Sequence, residues 1–218
     1  SQYLKDIQVA KGNQYFASVD GVLFNKDKTE LLCYPGGREV QSYTIPNTVT
    51  DIGSYAFFCC MNLTSMVIPD GVTSIGSYAF ASCINLTDIQ IPNSVTSIGP
   101  AAFSECINLI SMDLPDGVTD IGNGMFYYCV KLASIEIPDG VTSIGNNVFE
   151  ECYSLTSIEI PDSVTSIGSS AFSGCSSLTN ITLPNSVTGI GSDAFSYCSS
   201  LTNIAIPNSV KSIGNYAF

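Results

Sequence analysis

Apolar residues recur along most of the chain at a fixed spacing of 23 residues. Phenylalanine occupies one position of this period eight times, with no insertion or deletion between copies: Phe57, Phe80, Phe103, Phe126, Phe149, Phe172, Phe195 and Phe218. A fixed period of this length is typical of a solenoid, in which each repeat forms one coil. The unit reads F-x-x-C-x-x-L-x-x-I-x-I-P-x-x-V-x-x-I-G-x-x-A, and its first copy spans 57–79.

The pattern inside one unit predicts two short strands. Ile89 and Ile91 alternate with Asp88 and Gln90, and this period of two predicts a strand with one buried face. A proline and then Asn or Asp follow, which favours a turn. The next apolar pair predicts a shorter strand, closed by a glycine that tolerates positive φ.

The remainder of the unit, 102–109 in one copy, places apolar residues three apart. This spacing suits a turn of 3₁₀ or α helix better than a strand. One unit is therefore one coil, and it has only its neighbours to bury its apolar residues against. Stacked coils would place like residues about 4.8 Å apart, the spacing of adjacent strands.

The motif L-x-x-I-x-[IL]-P-x-x-V-x-x-I-G-x-x-A-F-x-x-C resembles the BspA-like leucine-rich repeat family over residues 40–218. The resemblance implies a right-handed leucine-rich repeat solenoid, with parallel strands on one face and short helical turns on the opposite one. Members of this family resemble surface adhesins that bind host extracellular proteins or other bacteria. The resemblance carries over no binding residues.

The first 40 residues depart from the regular unit. Leu4, Ile7 and Val9 fit the strand template, and a degenerate coil follows from Tyr34. The extra residues between them, 11–32, contain strand-like runs around an Asp-Gly turn and a second turn at 25–29, which predicts an inserted β-hairpin or meander that projects from the coil. We expect one solenoid over 1–218 with regular repeats over 34–218. Because Phe218 falls half-way through a coil, we expect it to be a fragment of a longer chain.

Composition narrows the function classes. A net charge of −12 repels nucleic acid and anionic lipid, and no apolar run is long enough to span a membrane. The chain has no histidine, so Ser-His-Asp and Cys-His catalysis are excluded, and the glycines form no phosphate-binding loop. A catalytic carboxylate pair is left open by residue type alone, but nothing else supports it.

Most of the nine cysteines occupy one position of the repeat. We interpret these as buried small hydrophobes, because stacked side chains run parallel while a disulfide needs converging ones. They are Cys60, Cys83, Cys106, Cys129, Cys152, Cys175 and Cys198. Cys33 and Cys59 fall outside this ladder, and Cys59 is a candidate for an exposed, reactive thiol. Without histidine or a C-x₂-C pair, a zinc site is not expected.

Outward side chains are not constrained by core packing, so they are the ones that can determine which partner binds. The two outward positions of the longer strand give a row of candidate partner-binding residues: Asp88, Gln90, Asp113, Glu136 and Glu159. Like charges on adjacent strands repel, so this row is either a solvated acidic face or a site for a basic partner or a bridging cation.

Two further surface features are open to a binding or a structural interpretation. Exposed aromatic residues on the turn side could contact a partner or simply cover neighbouring coils: Phe58, Tyr127, Tyr128, Tyr153 and Tyr197, beside Glu150 and Glu151. The turn row Asp116, Asp139 and Asp162 could hold Ca²⁺, but turn chemistry explains it without a ligand.

The sequence thus favours a monomeric, non-enzymatic scaffold for interaction or adhesion at the bacterial cell surface. Its expected partner is a protein, basic or from the host extracellular matrix, with no cofactor; Ca²⁺ has no positive support. The alternatives are a glycan- or substrate-recognition module of a larger secreted enzyme, or a structural spacer.

Overall fold

Seventeen short strands make up the regular structure of the computed structural model, which describes residues 3–218. In chain order they are β1 (Phe16–Val19), β2 (Val22–Asn25), β3 (Glu30–Cys33), β4 (Ser42–Thr44), β5 (Asp51–Ile52), β6 (Ser65–Val67), β7 (Ser74–Ile75), β8 (Asp88–Gln90), β9 (Ser97–Ile98), β10 (Ser111–Asp113), β11 (Ser134–Glu136), β12 (Ser143–Ile144), β13 (Ser157–Glu159), β14 (Ser166–Ile167), β15 (Asn180–Thr182), β16 (Gly189–Ile190) and β17 (Ser212–Ile213). They form a parallel β-solenoid of about 8 turns, as the period of the sequence predicts.

The three-residue strands lie side by side on one face of the solenoid, in three short parallel sheets: β4–β6–β8, β10–β11 and β13–β15. In β8 the side chain of Ile89 is buried while Asp88 and Gln90 face solvent, which confirms the predicted alternation. The strands pair in parallel with a register of one repeat, so that Asp113 lies opposite Glu136 in the β10–β11 pair. Equivalent residues of successive coils therefore form rows across this face.

The two-residue strands form a second parallel row, and the glycine that follows them has a steric role. The expected tolerance of positive φ is not what Gly76 and Gly99 provide, since neither has φ in that range. A Cβ added to Gly99 would instead lie 2.5 Å from the backbone nitrogen of Ser77 in the preceding coil. Glycine is required here because two coils approach too closely for any side chain.

The third side of each coil consists of turns, and the predicted helical turn is absent from residues 3–218. Alternate N–H groups have different partners: Cys60 donates within its own coil to Phe57 O at 3.1 Å, whereas Phe57 donates to Ala79 O of the next coil at 2.7 Å. Non-glycine residues with positive φ, such as Tyr55 and Cys59, produce this alternation. A helix would direct its N–H groups to its own carbonyls and leave none for the neighbouring coil.

The core is a column of stacked phenylalanine rings with a row of thiols beside it. Ring centroids of successive coils lie between 5.1 Å, for Phe57 and Phe80, and 5.9 Å, for Phe103 and Phe126. The seven ladder cysteines are buried and free, as predicted. Their thiols also do something the sequence did not indicate: that of Cys129, for example, donates to Phe103 O of the preceding coil at 3.1 Å.

The N-terminal meander extends one of the sheets instead of projecting from the coil. β1, β2 and β3 pair antiparallel, and β3 then pairs in parallel with β5, so the meander continues the row of two-residue strands. Val22, Phe24 and Leu31 are fully buried against the first regular coils. The meander therefore covers the core beside the first regular coil.

The strand predicted at Leu4 to Val9 is wrong. This segment has no strand in the structure, and its Ile7 N–H donates to Gly21 O while its Val9 N–H donates to Ser18 Oγ. The segment is thus hydrogen-bonded to the meander and not to β4. The spacing of its apolar residues matches the repeat, but its hydrogen-bond partners, Gly21 and Ser18, belong to the meander.

The buried thiols predict a simple chemical titration. In the folded protein at pH 8, we expect Ellman's reagent to react rapidly with at most two thiols, because only Cys33 and Cys59 are half-buried and the others are buried. In guanidinium chloride all nine should react. Rapid reaction of three or more thiols without denaturant would contradict the buried ladder.

The thiols also predict loss of stability at alkaline pH. Burial raises the pKa of Cys106, Cys129, Cys152, Cys175 and Cys198, to about 12 for Cys152 and about 11 for Cys198. An unfolded thiol ionises near pH 8.5, so unfolding above that pH releases protons. Stability should be fully present below about pH 8.5 and fall as pH rises towards 11–12, by up to about 1.4 kcal/mol per pH unit for each thiol.

Urea denaturation at pH 7.5, 9 and 10, with a phosphine reductant, measures this dependence. Cys152→Ala is the matched variant: it should be less stable at pH 7.5 because of its cavity, yet lose less stability as pH rises. A urea midpoint that stays constant from pH 7.5 to 10 would show that the thiols do not control alkaline stability.

Candidate functional site

The five sequence-predicted partner-binding residues come together on the face formed by the three-residue strands. Asp88 and Gln90 belong to β8, Asp113 to β10, Glu136 to β11 and Glu159 to β13, and all five side chains are exposed. The alternation of each strand turns them outward, and the one-repeat register aligns them. The row extends over four consecutive coils.

Three neighbouring recesses run along this row. The central one, of about 470 Å³, is lined by Asp113, Glu136 and Glu159. A recess of about 310 Å³ on one side contains Asp88, Gln90 and Asp113, and one of about 480 Å³ on the other contains Glu159. Because adjacent recesses share Asp113 and Glu159, the five residues line one extended surface, which we call the acidic groove.

Residues of the turn after each strand line the same groove, and sequence reasoning missed this. Asp139 contributes to the central recess, Asp162 to the recess beyond Glu159, and Asn93 to the recess at Asp88. Each comes after the outward strand residue by only three positions, with the buried residue and the proline between. That spacing was the available signal, since a turn directly after a strand stays at the edge of the same face.

The groove has a negative charge that nearby residues do not neutralise. Among residues 3–218 the only ion pair joins Lys5 and Glu39, in the N-terminal region. Lys131 is the only basic residue between Arg38 and Lys211. The carboxylates of Asp113, Glu136 and Glu159 therefore face solvent on adjacent strands, where like charges destabilise one another.

The described residues contain no arrangement of three or more His, Cys, Asp or Glu side chains suited to a metal ion. The Ca²⁺ alternatives for the acidic row and for Asp116, Asp139 and Asp162 thus gain no support, and they stay predictions. Within residues 3–218, no helix has the length and apolar character needed to cross a bilayer.

Comparison with known families identifies the repeat. The model of the BspA type leucine-rich repeat region matches residues 32–155 and 142–218, with six copies. The chain belongs to the BspA-type leucine-rich repeat family. The resemblance read from the repeat unit is thereby confirmed. A search of curated proteins gave no match.

Three solved structures are similar to this solenoid. A leucine-rich repeat protein from Eubacterium ventriosum is 31% identical, with a TM-score of 0.85 over 95% of this chain and 55% of that one. The T. pallidum leucine-rich repeat protein is 27% identical, with a TM-score of 0.76 over 91% and 92%. The pneumococcal vaccine antigen PcpA is 28% identical, with a TM-score of 0.54 over 96% and 45%. This chain thus spans about half the length of the Eubacterium protein.

The acidic groove predicts a salt-dependent stability effect. Replacing its three stacked acids by neutral isosteres, Asp113→Asn, Glu136→Gln and Glu159→Gln, should raise the thermal midpoint by about 1–5 °C at 10 mM salt, because it removes repulsion between adjacent strands. At 0.5 M salt the difference should largely disappear.

The matched control neutralises three exposed acids outside the groove, Asp20, Asp27 and Asp120, by substitution with Asn. It produces the same change in net charge without the stacking. A control variant that is stabilised as much as the groove variant would attribute the effect to total charge and not to the row.

Proposed function

We propose that this protein is a non-enzymatic interaction scaffold of the bacterial cell surface, which binds a basic protein partner along the acidic groove. The observation that carries the proposal is the alignment of Asp88, Gln90, Asp113, Glu136 and Glu159 along three contiguous recesses. This surface is polar, extended and uncompensated in charge.

The physical properties of the groove favour a protein over a small molecule. The recesses lie next to one another along the solenoid, which suits an extended partner that contacts several coils at once. Complementary charge accelerates association and selects the partner more than it raises affinity. Lysine and arginine side chains are the groups that the stacked carboxylates would attract.

The family supports the surface location. BspA-type repeats make up most of this chain, and one structural relative is a pneumococcal vaccine antigen. Leucine-rich repeats generally mediate protein interactions. An extracellular, adhesive role for this chain is the extension that we propose from those facts.

A binding screen at two salt concentrations tests the proposal. The protein is applied to arrays of extracellular matrix proteins and of glycans at 50 and 150 mM NaCl, with and without calcium. We expect a protein ligand whose affinity falls as salt rises. The groove variant Asp113→Asn, Glu136→Gln, Glu159→Gln should weaken it about tenfold or more, as expected when close charge pairs are lost.

The variant Asp20→Asn, Asp27→Asn, Asp120→Asn serves again as the control of equal charge and should bind almost as well as the unmodified protein. Equal losses of affinity in both variants would show that the total charge of the protein, and not the groove, governs binding. Binding to glycans alone would favour a carbohydrate-recognition module, and binding to neither class would favour a structural spacer.

A further inference from the structure

Three tyrosines form a cluster on the turn side of the solenoid, on a different side of the coil from the acidic groove. The ring centroids of Tyr127 and Tyr128 lie 6.1 Å apart, and those of Tyr128 and Tyr153 lie 6.2 Å apart. The rings of Tyr128 and Tyr153 are inclined at 72°, so that one presents its edge to the face of the other. Both are about 40% exposed, which leaves ring surface accessible to a partner.

Carboxylates surround this cluster in the preceding and following coils. Glu105 lies one repeat before Tyr128, Glu151 lies one repeat after it, and Glu150 is adjacent to Glu151. A hydrogen bond with Glu151, together with the charge of that carboxylate, raises the pKa of Tyr153 to about 12. Burial raises the pKa of Tyr127, and the charges of Glu150, Glu151 and Glu105 add to the effect. The phenols therefore lie in a negative field.

The backbone holds the central column of this cluster in place. Glu105, Tyr128 and Glu151 all have positive φ, at 59°, 58° and 62°. Hydrogen bonds between coils run beside them: Glu105 N–H donates to Tyr127 O at 2.7 Å, and Tyr128 N–H donates to Glu150 O at 2.8 Å. Three side chains in the same backbone conformation, on coils bonded to each other, leave the solenoid in one direction.

Two neighbours further restrict the carboxylates. Ser82 Oγ donates to Glu105 Oε2 at 2.8 Å. The position after Glu151 in the same column is Gly174, where a Cβ would lie only 3.0 Å from the Glu151 carboxylate carbon. The Glu151 carboxylate therefore lies over Gly174 of the following coil, where no side chain displaces it. No ion pair involving these glutamates or Lys131 exists in the described part of the chain.

We infer that Tyr127, Tyr128 and Tyr153, with Glu105, Glu150 and Glu151, form a second binding surface, which accepts an arginine side chain of a peptide or protein partner. Aromatic rings attract a cation over their faces, and adjacent carboxylates add charge and hydrogen-bond acceptors. The inference is independent of the acidic groove, since it concerns another side of the coil.

Arginine fits this surface better than lysine for geometric reasons. Its planar guanidinium can stack on a tyrosine ring while its N–H groups point sideways to carboxylates. Here a ring and carboxylates occupy the same column on successive coils, about one strand spacing apart. A lysine ammonium would gain the charge interaction but not the stacking.

Fluorescence polarisation with labelled octapeptides tests the inference. The protein carries Asp113→Asn, Glu136→Gln and Glu159→Gln as background, so that binding in the groove is not measured. The probes alternate Arg with Gly, or Lys with Gly, at 20 and 150 mM NaCl. We expect the arginine peptide to bind more tightly than the lysine peptide, by about threefold or more, from the added stacking.

Variants in this background assign the binding to the cluster. Tyr128→Leu should weaken the arginine peptide about fivefold, which corresponds to loss of one cation–π contact. Glu105→Gln, Glu150→Gln and Glu151→Gln together should weaken it about tenfold at 20 mM salt and less at 150 mM. Tyr197→Leu is the matched control, because Tyr197 occupies the same column with a φ of 58° but follows Gly174 instead of a glutamate.

The control variant should bind the arginine peptide like the background protein, and thermal midpoints should show that all variants are folded. The inference is overturned if the arginine peptide does not bind in this background at 20 mM salt, if the lysine peptide binds equally well, or if Tyr197→Leu weakens binding as much as Tyr128→Leu. None of these results bears on the acidic groove, because the groove is neutralised in this background and is tested separately in the protein that retains Asp113, Glu136 and Glu159.

Discussion

Hydrogen bonding between coils is the constraint on which the rest of this structure depends. A 23-residue coil has too few internal partners for its backbone. Its strands are therefore bonded to the coils on both sides, and half of its turn N–H groups donate to the next coil. That requirement explains the positive φ values on the turn side, the glycine where coils approach most closely, and the stacked rings, since coils bonded in register must place identical side chains over one another.

The same constraint creates both candidate surfaces. Register of one repeat turns a residue that is outward in one coil into a row that is outward in all of them, so any charge or ring repeated in the sequence becomes a line of charge or a stack of rings. In the core this produces the phenylalanine column and the thiols that donate to phenylalanine carbonyls. On the outside it aligns Asp113 with Glu136, and Glu105 with Tyr128.

Variation between coils is where function would be encoded, because the inward positions are fixed by packing. The acidic groove uses outward positions of the strands together with the turn residues that follow them, as Glu136 and Asp139 do. The tyrosine cluster lies instead on the turn side of the coil, where a positive φ, as at Tyr128, turns a side chain outward. One scaffold can therefore present two surfaces of different chemistry without any change in its core.

Period and polarity alone determined the solenoid, the alternation of Ile89 with Asp88 and Gln90, the buried cysteine row and the line of candidate acids, because these follow from a repeat that stacks on itself. The tertiary structure decided what depends on neighbours. It replaced the predicted helical turn by turns that bond to the next coil, and it gave Gly99 a steric role. It placed the meander on the row of two-residue strands, and it bonded the Leu4 to Val9 segment to the meander, where that segment forms no strand. It also brought Asp139 and Asp162 into the groove, since which turn residues share a recess with which strand residues is set by the path of the chain in three dimensions.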